Sequence, residues 1–468
     1  MPNSNSWTPY VKKQENKFDP IRKDDAGDEF IKRWCNVYEE YQWDTPHIPK
    51  AAMHVVLGQV PSVRDMKIYT SKARYEDGRV HVLWLQPSGT GKQGAIDFVE
   101  DVSGKVVADG MGLTMETPDD FTDAAILGTY EEIKRWSKEE HGWVVEKIPV
   151  EGWLAKGVLD IFAMPECSVL FEAKSQYKEN LMVWFQRAMD PIGRNKITKK
   201  LAKGDAIYVN PVCSFFLTSY IPPSFTKRVT ERGLVQRMIT IINEVPIKKR
   251  HDSMLKGIDG LGLTDNSLDS LKTEREYLSY YMSELNEPYK NARMKADPNV
   301  MSNLKAVVYH IQDMLEGIPR YQQEQLSKFT NRSLTHAIKL TYHHAILRRD
   351  NTVEIEDVSY AEEFLYPIWK KLIHHFQDAL ETDVKAMEKE KTTMYQLRGA
   401  IDGLHDRNLG KNGWVFEQLL IGELCIIMRK KKDYVRSKVR SWVDNDLLEK
   451  TELKGHPMVR LKVKQPIG

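Results

Sequence analysis

The residues Gln86-Pro87-Ser88-Gly89-Thr90-Gly91-Lys92-Gln93 carry the clearest chemistry in this sequence. Small residues let backbone N–H groups turn inward on an anion, and a neighbouring lysine can meet terminal phosphates. An apolar run from Val80 to Leu85 precedes the loop and a helical pattern follows it. The loop therefore opens a helix N-terminus, where phosphate is favoured. Ser88, Gly89, Thr90, Gly91, Lys92 and Gln93 are the expected nucleotide-binding residues, with ATP as the ligand. Gln86 stands where the usual pattern has its first glycine, and Gln93 stands where a short hydroxyl would hold Mg2+. An amide oxygen can also ligate Mg2+, so Gln93 is the expected metal contact.

Such a loop needs a strand to deliver it and a helix to receive it, and the surrounding elements follow that plan. Helical patterns occupy the stretch from Asp28 to about Pro61, in FIKRWCNVYEEY and AAMHVVLGQV. Two further apolar runs, Ser168 to Phe171 and Ser214 to Thr218, have the length and bulk of buried strands, with a helical pattern from Glu179 to Asp190 between them. Strands alternating with helices predict an α/β fold with a parallel sheet. Residues 246–300 read as a linker that becomes helical, and 300–380 as helix throughout. After Lys389-Glu390-Lys391 come helical patterns at 393–404, 414–428 and 433–443, then a β-like end in MVRLKVK. Three short helices and a hairpin are the winged-helix plan. The expected segments are an extension at 1–60, a core at 61–250, a linker and helical lid at 251–385, and a winged helix at 390–468.

Composition limits the function classes. Net charge is +2, from 68 basic and 66 acidic residues, so a nucleic-acid partner must be read from local clusters. Cys35, Cys167, Cys213 and Cys425 are scattered without zinc-ligand spacing and suit a reducing interior. The N-terminus carries no signal-peptide pattern, and no apolar window approaches the length of a membrane span. A cytoplasmic protein without a membrane partner is expected.

Further motifs follow the loop in order. They are Gly112-Leu113-Thr114, then Cys167-Ser168-Val169-Leu170-Phe171-Glu172, then Arg187-Ala188-Met189-Asp190. Next come Ile197 to Gly204 with its lysines, Val209 to Ser214 ending in Thr218-Ser219-Tyr220, and Leu234-Val235-Gln236-Arg237-Met238-Ile239. Last are Arg332-Ser333-Leu334-Thr335-His336-Ala337-Ile338-Lys339-Leu340 and Val353 to Val358. This series resembles the motor half of minichromosome maintenance helicases, a branch of the AAA+ ATPases, in the shortened form that viruses and plasmids encode. The likeness covers roughly residues 80–380. Residues before 60 do not resemble the family's OB-fold and zinc collar, so a reduced form is expected.

The resemblance implies an AAA+ phosphate-loop core, an all-helical lid, and a homo-oligomeric, hexameric ring that threads single-stranded DNA. It makes Glu172 the base that polarises the attacking water, with Glu166 or Asp160 as substitutes. It makes Arg237 an arginine finger acting on the neighbouring subunit, and Arg332 the lid arginine that reaches the phosphates. It assigns Lys199, Lys200 and Lys203 to a pore hairpin that tracks DNA. Phe171 and Tyr220 depart from it, since they replace an Mg2+ carboxylate and a polar sensor.

Arg429, Lys430, Lys431, Arg436, Lys438 and Arg440 lie on the second and third helices of the expected winged helix, where a basic face would meet duplex DNA. His343-His344 and His374-His375 read as core or surface histidines. Two functions stay open: an ATP-dependent DNA helicase acting in replication, or a catalytically weakened nucleotide-binding ring that holds DNA as an origin-binding or scaffold protein.

Overall fold

The computed structural model describes residues 26–41, 47–108, 111–117, 122–137, 139, 141–156, 160–170, 176–200, 206–221, 233–246, 248, 251, 255, 264–285, 295–296, 298–316, 318–444 and 448–461. They divide into two units, 1–377 and 378–468.

The first unit is built on a sheet of strands β1 (Val82–Leu85), β2 (Thr114–Glu116), β3 (Asp160–Met164), β4 (Ser214–Ser219) and β5 (Ile239–Ile242). Their order is β5-β1-β4-β3-β2, and every neighbouring pair is parallel. β1, β4 and β5 are buried along their whole length. Strands covered on both faces have no solvent side, which is why they read as unbroken apolar runs. Leu85 pairs with both Ser219 and Ile242, so the carboxyl ends of β5, β1 and β4 lie level. Because β1 has neighbours on both sides, the chain leaving it meets the switch point where ligand crevices form in open parallel sheets.

One expected strand is displaced. Ser168–Leu170 forms a 3-10 turn, and the sheet strand is the preceding Asp160–Met164. Pro165 gives the reason, because it has no N–H for the ladder and ends the pairing at Met164. The Cys167 N–H then returns to the Thr218 carbonyl at 2.8 Å. The stretch Val209 to Ser214 is likewise not one strand, since Val209 closes a hairpin (Ile197–Lys200 with Ala206–Val209) and β4 starts only at Ser214. A longer hairpin pairs Gly128–Ser137 with Gly142–Glu151.

Helices α1 (Ala26–Tyr41) and α2 (Ile48–Gln59) pack with α3 (Lys92–Ser103), the helix after the loop. Trp34 meets Phe98 edge-on at 4.9 Å between ring centroids, and Phe30 stacks on Tyr281 at 4.3 Å. Helix α4 (Gln176–Ala188) lies between β3 and β4 in the chain. The expected linker holds a helix, α5 (Asp265–Glu284), whose N-cap Thr264 accepts from the Ser267 N–H. The helices that follow are α6 (Val300–Asp313), α7 (Arg320–Leu347) and α8 (Ile355–Asp406). Helices α1, α2, α3, α5 and α7 share one hydrophobic core with β1, so the N-terminal helices belong to this unit.

A buried ionic knot sits at the entry to β1. Arg79, fully buried, donates from Nε to Asp77 Oδ2 at 3.0 Å and through its other nitrogens to the carbonyls of Ala188, Cys213 and Asp190. Asp77 Oδ2 also accepts from the Ile192 N–H at 2.9 Å. Lys339 of α7 donates to the Arg79 carbonyl at 2.8 Å and lies 3.7 Å from Asp77. Burial works to raise the Asp77 pKa, but Arg79 and Lys339 together hold it below the usual carboxylate range. His343 beside them donates to the Gly78 carbonyl at 2.7 Å.

The second unit joins the end of α8 to strands Gly410–Lys411 and Trp414–Phe416, helices α9 (Glu417–Met428) and α10 (Lys432–Asp444), and a hairpin, Leu448–Leu453 with His456–Leu461. Trp414–Phe416, expected as helix, is a strand, because Gly413 turns the chain at φ 80° and Val415 then pairs with Val459. Leu397, Leu404, Leu424, Val439 and Trp442 fill its core.

Removing Arg79 would strand a buried carboxylate. Arg79→Leu is therefore expected to cost about 3–5 kcal/mol of stability, read as a lower denaturation midpoint, and an unchanged midpoint would refute the knot's role. Acid has a defined effect as well. Burial lowers the pKa of His343 to about 4 and of His336 to about 3, against 6.5 in the unfolded chain. Below pH 6.5 the unfolded chain binds protons that the folded chain refuses, so stability is lost as pH falls. Denaturation midpoints should decline from pH 6.5 down to about 4, and a flat profile there would contradict neutral burial.

Candidate nucleotide site

β1 carries the loop to the switch point. The Gln86 N–H donates to the Ser219 carbonyl at 2.9 Å, and the Asn243 N–H donates to the Leu85 carbonyl at 2.8 Å. Gly89 and Gly91 adopt φ of 70° and 82°, a backbone region that side chains resist. A Cβ at Gly89 would meet nothing within 4 Å, so the space in front of the loop is open. Gly91 is the N-cap of α3, and Lys92 is its first residue. Free N–H groups at this helix end can accept an anion.

Lys92 Nζ donates to the Gln86 carbonyl at 2.9 Å across the mouth of the loop. Burial lowers its pKa, and the nearby Glu166 charge opposes that shift. Ser88 and Gly89 are exposed while Thr90 is buried. The Gln93 amide lies on the exposed side of α3 and donates to Asp97 Oδ1 at 2.8 Å.

Of the two candidate carboxylates that fall among the described residues, Glu166 is the one beside the loop. It follows β3 at the carboxyl end and accepts from Ser219 Oγ at 2.7 Å and from the Ser168 N–H at 3.1 Å. Asp160 begins the same strand and pairs with Thr114 at the opposite end of the sheet. Glu172 and Phe171 lie outside the described residues. Ser219, one position before Tyr220, supplies the polar side chain at the end of β4. The sequence signal for Glu166 was its place directly after a β-like run closed by proline, masked by the second short apolar run that follows.

The arginines are elsewhere. Arg237 precedes β5 and pairs through Nε with Asp190 Oδ1 at 2.9 Å, while Nη1 donates to the Gly233 carbonyl. Arg332 is close enough for its pKa to be lowered by burial and then by the Arg237 charge, with Glu76 and Asp190 opposing. One turn on, His336 makes a hydrogen bond with the Arg237 backbone, and Lys339 reaches Arg79 before β1. Both arginines thus sit at the amino ends of the strands, while Lys92 and Glu166 sit at the carboxyl ends. From Arg237 along β5 to Asn243 is roughly 20 Å of extended chain, longer than an arginine side chain.

Among the expected DNA contacts, Lys199 Nζ donates to the Gly128 carbonyl at 3.3 Å, at the base of the long hairpin. Lys200 lies in the strand opposite Ala206, and Lys203 falls outside the described residues. In the second unit Arg429 ends α9 at φ 52°, and Lys430 and Lys431 are exposed in the turn that follows. Val435, Val439 and Trp442 face the core, so at 3.6 residues per turn Arg436 and Arg440 share one flank of α10 and Lys438 takes the other.

The long hairpin at 128–151 escaped the sequence reading. Trp136 and Trp143 pair near its end, 53% and 68% exposed, with ring centroids 5.7 Å apart. Its charges and apolar residues mix on both faces, which blurs the alternation that marks a half-buried strand.

No protein-family model matches this sequence, and a search of curated proteins found no match.

If phosphates seat on this loop, Lys92→Ala should weaken binding of a fluorescent ATP analogue by roughly 10- to 100-fold, the worth of a charged hydrogen bond. Glu166→Gln should leave that binding near wild type. Equal binding by Lys92→Ala and wild type would remove the loop from consideration.

Proposed function

We propose that this chain is a subunit of a ring-forming, ATP-driven motor of the AAA+ class, similar to minichromosome maintenance helicases, that acts on DNA. The observation that carries the reading is the split of one chemistry between two ends of a sheet. Lys92 and Glu166 stand at the carboxyl ends of the strands. Arg237 and Arg332, the cations that would stabilise charge on a transferring phosphoryl group, stand at the amino ends. Within one chain the two halves cannot meet. A head-to-tail ring brings the arginines of one copy to the loop of the next, and a closed ring satisfies every subunit alike.

In this reading the loop N–H groups and Lys92 hold the phosphates of ATP. Glu166, oriented by Ser219, positions the attacking water and takes its proton. Gln93 is the residue that would hold Mg2+, which would polarise the terminal phosphate. The 197–209 hairpin, with Lys199, Lys200 and Lys203, contacts DNA phosphates. Trp136 and Trp143 offer faces on which bases can stack. The second unit resembles a winged helix, with Arg429, Lys430, Lys431, Arg436 and Arg440 as the duplex-facing cations.

One observation favours a second reading, a nucleotide-binding ring that holds DNA without turnover. Phe171 stands where the resemblance expects a carboxylate for Mg2+, Pro165 leaves none directly before Glu166 either, and the Gln93 amide is engaged with Asp97. Subunit mixing tests the ring and its chemistry together. Lys92→Ala and Arg237→Ala should each lose most DNA-stimulated phosphate release, and an equimolar mixture should recover part of it through interfaces with both halves intact. Activity of Arg237→Ala alone at the wild-type rate would sink the trans arrangement, whereas tight nucleotide binding with no phosphate release by wild type would select the second reading.

A further inference from the structure

Gln86 occupies the place of the loop's first glycine and is fully buried. Its Oε1 accepts from Trp84 Nε1 at 3.1 Å and from Asn243 Nδ2 at 2.7 Å. Its Nε2 donates to the Thr90 carbonyl at 3.0 Å and to Thr90 Oγ1 at 2.8 Å. Both lone pairs and both amide hydrogens are thus used. Indole N–H can only donate, so Trp84 fixes which end of the amide faces it. The Gln86 backbone is committed as well, with its N–H on Ser219 and its carbonyl under Lys92. Asn243 follows β5 directly and is tied to β1 by its own N–H on Leu85.

We propose that Gln86 and Asn243 are positioning residues that hold the phosphate loop in its anion-binding shape through side-chain bonds, and so tie the loop to the end of β5. A first glycine leaves the turn to backbone freedom, whereas here a buried amide spans it from Thr90 to Asn243. The departure from the usual pattern is therefore itself the device that sets the loop. The inference rests on the nucleotide-site reading above and goes beyond it in naming what shapes that site.

The test uses the full chain with a fluorescent ATP analogue, thermal melting, and binding of single-stranded DNA without nucleotide. Asn243→Ala should raise the analogue's Kd roughly 3- to 10-fold, as loss of one buried hydrogen bond would. Gln86→Gly, which restores the usual residue, should raise it further. The double variant should bind no more weakly than Gln86→Gly, because Asn243 acts through the Gln86 side chain. Nucleotide-free DNA binding should not move in any of them. Wild-type affinity in Gln86→Gly would overturn the proposal, as would additive losses in the double variant or a parallel fall in DNA binding. If Gln86→Gly does not fold, Gln86→Glu serves: it keeps the acceptor for Asn243 and Trp84 but loses the donors to Thr90, and wild-type affinity there overturns the proposal too. A wild-type chain that binds no analogue would instead overturn the nucleotide site.

Discussion

The first unit depends on the ionic knot of Asp77, Arg79 and Lys339. Three segments distant in sequence must agree at one point. These are the entry to β1, the turn after α4, and helix α7. A buried guanidinium with its donors on fixed carbonyls tolerates little displacement, and a buried carboxylate demands a partner nearby. The knot thus fixes where α7 crosses the amino ends of the strands. That crossing puts Arg332 and His336 against Arg237.

The proposed chemistry follows from that placement. The loop and Glu166 gather at the carboxyl ends of the strands because the switch point lies there, and the arginines gather at the amino ends because the knot holds α7 there. The sheet itself separates the halves. The proposed ring rests on where these charges stand.

The glycine-rich loop at 86–93 was legible because its conformation is local. Gly89, Gly91 and Lys92 act through backbone conformation and a helix end that neighbouring residues determine. Strands β1 and β4 were legible as bulky apolar runs. β3 was not, because Ile161–Met164 and Val169–Phe171 are both short apolar runs that sequence alone does not rank, and only Pro165 and the pairing with β4 decide between them. Glu166 moved into the site with that correction. The long hairpin was invisible because no buried face imposes a period on it, and isolated two-stranded ribbons carry weak patterns.

What the sequence by itself determined is therefore the local: a glycine-rich turn between a strand and a helix, buried strands, helices with apolar faces, and a basic turn before α10. Such features depend on residues within a few positions of each other. Tertiary structure alone decided which carboxylate meets Lys92, that Gln86 is a bracket rather than a missing glycine, and that Arg237 and Arg332 stand together away from their own loop. Each of these turns on contacts across tens to hundreds of residues, such as Gln86 with Asn243 and Arg79 with Lys339. Sequence spacing cannot specify them, because they exist only once the sheet and α7 have packed.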